Sequence, residues 1–174
     1  MLKHLVIAAA VTLSLVACDD HDDHAHAEEG LDAHACEHIT AGPFAQVSAA
    51  LDPADAVEAF EQHHLVTVAL VDRPEGRKGG MVVVTAPEAG DYRLLLNAGV
   101  AVAATAVADG AAVGVGYDGP ADGCDDALRV VQLESLSQGA AYLPAFGPTD
   151  AATVGFVMEH TFTVPALVEA HAVA

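Results

Sequence analysis

From residue 64 onward the chain keeps one rhythm: short runs of β-branched and apolar residues, each closed by glycine, proline or aspartate. Residues 64–71, 81–86, 91–97, 100–107, 112–117, 128–135, 140–146 and 152–164 each read as a strand, and 72–80, 87–90, 109–110 and 119–126 as the turns and loops between them. Turn signals at such short spacing, with no helical segments between the strands, exclude a doubly wound α/β fold. They predict an all-β chain, a single antiparallel β-sandwich of about seven to nine strands. Upstream, residues 43–50 alternate loosely and supply a first strand. Residues 53–63 fit a short helix, with Asp52 as N-cap and Pro53 at the first helical position, or else an irregular loop.

The other end of the chain is of a different kind. Lys3 precedes an apolar run over residues 5–16, too short for the roughly 20 residues a bilayer-spanning helix needs. The run ends in Leu15-Val16-Ala17-Cys18, which resembles the lipobox of bacterial lipoproteins. That resemblance implies that residues 1–17 are a signal peptide and that Cys18 is lipidated. The protein is then expected in the cell envelope, tethered to a membrane on its periplasmic or surface side rather than spanning it.

Between Cys18 and His38 lie five histidines, His38 included, and eight acidic residues. Imidazole suits zinc, copper and nickel, and carboxylate adds oxygen ligands. Residues 18–35 carry almost nothing to bury, so they read as a disordered His/Asp/Glu-rich tether, with the β-sandwich domain at 36–174. A spacer needs no imidazole. His21, His24, His26 and His34 are therefore candidate ligands for a weak, poorly selective metal site on the tether.

The chain's formal net charge of −19 argues against nucleic acid as a partner and favours cations. Of its three cysteines, Cys36 and Cys124 remain once Cys18 is assigned to lipid, and export favours their pairing as a disulfide.

A second resemblance lies within the strands. Gly90, Tyr92, Leu94 and Leu96 follow a G-x-Y-x-φ-x-φ pattern (φ apolar) similar to that of the pre-peptidase C-terminal domain family, a jelly-roll β-sandwich. Gly139, Tyr142 and Phe146 follow it again, with Pro144 departing from it. The likeness covers roughly residues 64–164. It implies an accessory, non-catalytic module of a secreted protein and brings no catalytic residue with it.

Catalytic signatures are missing from the residues themselves: there is no G-x-S-x-G elbow and no phosphate-binding loop ending in Lys-Ser or Lys-Thr. No enzyme is expected. Side-chain alternation in the last strand puts His160 in phase with Phe156, Met158 and Phe162, and leaves Glu159 on the other face. In the strand from 64, His64 is in phase with Val66 and Val68, and His63 is not. His64 and His160 are thus candidates to converge with His38 or Glu37 on one metal, or else to be core histidines bonded to backbone. Asp118, Asp122, Asp125 and Asp126 crowd one loop as a lesser candidate for calcium, without EF-hand spacing. The expectation is an exported, lipid-anchored protein that binds zinc, copper or nickel for buffering or delivery. Its alternative is a structural or interaction module of the envelope, with the His/Asp arm a mere spacer.

Overall fold

The computed structural model describes residues 31–59, 63–121 and 124–161. Within them the chain runs as helix α1 (Leu31–Ala41) and strands β1 (Phe44–Ser48), β2 (Leu65–Ala69), β3 (Val71–Asp72), β4 (Lys78–Met81), β5 (Val84–Thr85), β6 (Gly90–Leu96), β7 (Val102–Ala106), β8 (Gly114–Gly119), β9 (Arg129–Leu136), β10 (Ala141–Thr149) and β11 (Thr153–Thr161). A six-stranded sheet has the order β1-β2-β11-β6-β9-β8. In the other, β10 pairs with β4 and β5 on one side and with β7 on the other, and β3 extends it beyond β4.

The expected all-β sandwich is what forms, and alternation explains it. Val66, Val68, Leu94, Leu96, Val131, Leu133, Phe156 and Met158 all point inward from the six-stranded sheet. They meet Val82, Val84, Ala104, Tyr142 and Phe146 from the other. Phe156 and Leu94 are wholly buried, and such burial contributes roughly 1.5–3 kcal/mol per large side chain.

Four details differ from the sequence reading. Eleven strands replace seven to nine, because β3 and β5 are two residues each and carry no readable alternation, and β4 arises in the glycine-rich stretch read as loop. The sandwich is not purely antiparallel, since β1 runs parallel to β2. Among the described residues of 53–63 the helical part is a 3-10 turn at Pro53–Asp55, with Asp52 capping it by accepting from the Ala54 amide at 2.9 Å, and the rest follows the alternative of an irregular segment. Most consequential, the folded part does not begin at Cys36. Helix α1 starts at Leu31, within the stretch read as disordered tether, because its Ala35 and Ile39 have a surface to bury against.

That surface is the outer face of the six-stranded sheet. Leu65, Leu95, Val130 and Val157 point away from the main core and would be exposed. Instead Ala35 and Ile39 of α1 cover them, together with Cys124 and Ala127. The Cys36–Cys124 disulfide joins the helix to the segment leading into β9. The helix stops at Gly42, whose φ of +79° is a left-handed conformation open to glycine at no steric cost. Its N–H returns to the His38 carbonyl at 3.2 Å, an αL C-cap.

Candidate metal centre

Helix geometry puts residues four apart on one face, so His34 and His38 stand one above the other on α1. They do not face the sheet directly; that direction belongs to Ala35 and Ile39. They lie along the flank of the helix nearest β2 and β11. There they meet His63, just before β2, and Glu159 of β11. One ligand atom from each of these four side chains lies within 4.8 Å of the others.

Strand alternation accounts for Glu159. Phe156 and Met158 point into the sandwich, so Val157 and Glu159 point out, under the helix. Glu159 is 4 % exposed, and it is the one charged residue among the fully buried side chains described. Its carboxylate sits 3.3 Å from His63 Nδ1 and 3.9 Å from His34 Nδ1. Burial raises the pKa of Glu159 above the ordinary carboxylate range, and the nearby rings of His34 and His38 pull it partly back.

His63 has a backbone φ of 60°. A non-glycine residue in this region is uncommon, and such strain gathers at binding sites, where the surroundings hold it. The strand begins only at Leu65, so the left-handed turn at His63 aims its ring regardless of strand phase.

His38 carries the clearest sign of a ligand. Its Nδ1 lies 3.1 Å from the Gly42 carbonyl oxygen, which can only accept, so Nδ1 bears the proton. The lone pair is then on Nε2, which is buried and has no hydrogen-bond partner among the described residues. A histidine that donates one ring N–H to a backbone carbonyl is set to offer the other nitrogen to a metal. The three imidazole rings lie with centroids 4.8, 5.2 and 5.2 Å apart.

Ligand atoms around tetrahedral zinc, at about 2.0–2.1 Å from the ion, stand about 3.3 Å from each other. The His63–Glu159 pair is already at that spacing, and the widest pair must close by roughly 1.5 Å, within the reach of side-chain rotation.

The sequence-derived candidates divide. His34 and His38 belong to the group; His64 and His160 do not. His160 lies on the inward face beside Tyr92, with ring centroids 4.9 Å apart. Its Nε2 is 3.2 Å from the Ala89 oxygen and its Nδ1 3.6 Å from Glu88. It is the backbone-bonded, partly buried histidine that was the other reading. Gly90, at φ +146°, makes room for it: a Cβ there would meet His160 Nε2 at 2.5 Å. Asp118 directs both carboxylate oxygens to Arg129, which holds its pKa low and leaves little for calcium. Cys18, His21, His24, His26 and Asp122 lie outside the described residues. His63 and Glu159 were missed as ligands, His63 because it falls outside the strand and Glu159 because its strand face was taken to be solvent-facing. The His-x₃-His spacing of His34 and His38 was the available signal, given a helix to display it.

No family model matches the chain, and no curated protein is significantly similar to it.

Glu159 also yields a stability prediction. Its folded pKa is raised, so the native state holds the proton longer than the unfolded chain. Stability is therefore lost as pH rises from about 4.5 through that raised value. Glu159→Gln should raise the melting temperature of the metal-free protein at pH 7 and have no such effect at pH 4. Thermal melts at the two pH values check this, and a variant less stable than wild type at pH 7 would refute it.

Proposed function

We propose that this protein is an exported metal-binding lipoprotein that buffers or delivers a divalent transition metal, zinc foremost, at His34, His38, His63 and Glu159. The observation that carries the reading is the His38 ring: one nitrogen is committed to Gly42, the other is buried with no hydrogen-bond partner among the described residues, and the ring belongs to the group of four ligand side chains. Three imidazoles and a carboxylate match zinc's preferences, with copper and nickel as competitors for the same set. Four protein ligands fill a tetrahedral shell, and that favours holding an ion over using it in catalysis.

The setting agrees with this reading. A disulfide accords with a location outside the cytoplasm, and no helix among the described residues is long and apolar enough to cross a membrane. A lipid on Cys18 would keep the site near a membrane surface. His21, His24 and His26 would add weaker ligands on the approach. The likeness of the Gly90–Leu96 strand to the pre-peptidase C-terminal pattern supports a non-catalytic module carrying this site.

Calorimetric titration with Zn²⁺, Cu²⁺ and Ni²⁺ tests the proposal, using the chain from Cys18 and a version beginning at Glu29, which keeps all of α1. Both should bind one zinc tightly, and the longer one should add a weak component that discriminates poorly among the metals. If neither binds below about millimolar, equivalent to about 4 kcal/mol, the metal reading is wrong and the envelope-module reading replaces it.

A further inference from the structure

We infer that the metal centre and the Cys36–Cys124 disulfide are energetically coupled, so that reducing the disulfide loosens the metal and the bound metal protects the disulfide. The inference rests on the metal reading above and adds its regulation.

The argument is one of placement. At 3.6 residues per turn, successive side chains step about 100° around a helix. Ala35 and Ile39 form the stripe of α1 pressed on the sheet. His34 and His38 fall on one side of that stripe and Cys36 on the other, roughly opposite each other around the axis. The sheet order continues the pattern. His63 and Glu159 belong to the β2–β11 side, and Cys124 leads into β9, beyond β6. The helix thus lies across the sheet with a disulfide along one flank and the ligand group along the other.

Among the side chains described, the buried stripe of the helix consists of Ala35 and Ile39, and an eleven-residue helix is marginal by itself in water. With the disulfide intact, the helix cannot roll or lift, and the His34 and His38 rings stay over Glu159. With it open, ordering the helix must be met from metal-binding free energy, so the apparent affinity falls by the fraction of chains with α1 docked. Linkage requires the reverse effect to be of equal size.

The redox step is a thiol–disulfide exchange. A dithiol reductant gives up two electrons and two protons and closes its own disulfide, while Cys36 and Cys124 leave as two thiols. A trialkylphosphine does the same with water: phosphorus takes the oxygen, and the two hydrogens go to the sulfurs.

The test uses the chain from Cys18 and zinc alone, with a phosphine as reductant. Zinc affinity is measured, in a Cys18→Ser background, for the oxidised protein, the reduced protein and Cys36→Ser/Cys124→Ser, which then has no thiolate to offer the ion. Both open forms should bind at least tenfold more weakly than the oxidised form. In the reciprocal experiment, saturating zinc should shift the disulfide's reduction equilibrium by the same factor, about 30 mV per tenfold. The second measurement keeps Cys36 and Cys124, so it decides the matter even if the double serine protein fails to fold. Equal affinity in oxidised and reduced forms, tighter binding on reduction, or a reduction equilibrium indifferent to zinc would each overturn the coupling while leaving the metal site standing. No zinc binding by the oxidised protein would instead remove the metal reading itself.

Discussion

His38→Ala should weaken zinc binding by at least about 100-fold, equivalent to about 2.8 kcal/mol, while the sandwich stays folded. The orientation of this ring is set before any metal arrives. Its Nδ1 proton is engaged by Gly42, so Nε2 needs no rearrangement of tautomer to bind an ion. Removing it leaves three ligands for the ion, one of them the buried Glu159 carboxylate. The fold should tolerate the change because His38 lies on the helix flank, beside the packed stripe and not in it. His160→Ala is the matched control. It removes a partly buried histidine of β11 that faces the opposite side of the strand from Glu159 and should leave zinc affinity unchanged. Competition titration against a chromophoric chelator reads both variants. Wild-type affinity in His38→Ala, or an equal loss in His160→Ala, would be fatal to the site as drawn.

Cys36→Ser should cost roughly 2–5 kcal/mol of stability, which for a domain of this size lowers the melting temperature by roughly 6–15 °C. The two cysteines are 88 residues apart in sequence, a long loop, and the chain-entropy model gives about 4–5 kcal/mol for closing one of that size. The loss should not be uniform. The strands of the main core keep Phe156, Leu94 and Leu96 wholly buried whatever the helix does. Amide exchange in α1 should therefore accelerate far more than in β6 or β11. Uniform acceleration across the sheet would mean that the helix is part of the main cooperative unit, contrary to its sparse packing.

Much of the fold could be read from residues because alternation is a local signal. Phe156, Met158 and His160 share a face in the sequence pattern and share it in β11. Pro144, which seemed to interrupt a strand, lies within β10 where β4 gives way to β5, and its carbonyl still accepts from the Val82 amide at 3.3 Å. Helix α1 escaped notice because propensity and composition both spoke for a polar arm. Leu31, Ala35 and Ile39 do recur every four residues, but the stripe is short, and the partners Leu95, Val130 and Val157 of its buried part are 56 or more residues away in sequence. Gly42-Pro43 was a readable helix stop. The site was half legible for the same reason. His34 and His38 were singled out by residue type, whereas Glu159 needed the knowledge that a helix covers the sheet's outer face, and His63 needed a left-handed turn that no phase argument supplies.

Glu159 and the helical histidines belong to parts of the molecule that open on different terms. The carboxylate is fixed in β11, between β2 and β6, and moves only if the sandwich comes apart. The helix rests on a narrow apolar strip. Once the Cys36–Cys124 disulfide is open, an ion held between them would therefore depart when the helix peels back, with the sandwich left intact. Its residence time in that state is set by how α1 is held, adjustable at Ala35 or Ile39 without touching a single ligand, so the protein could evolve from a long-term store to a rapid exchanger through changes in packing only.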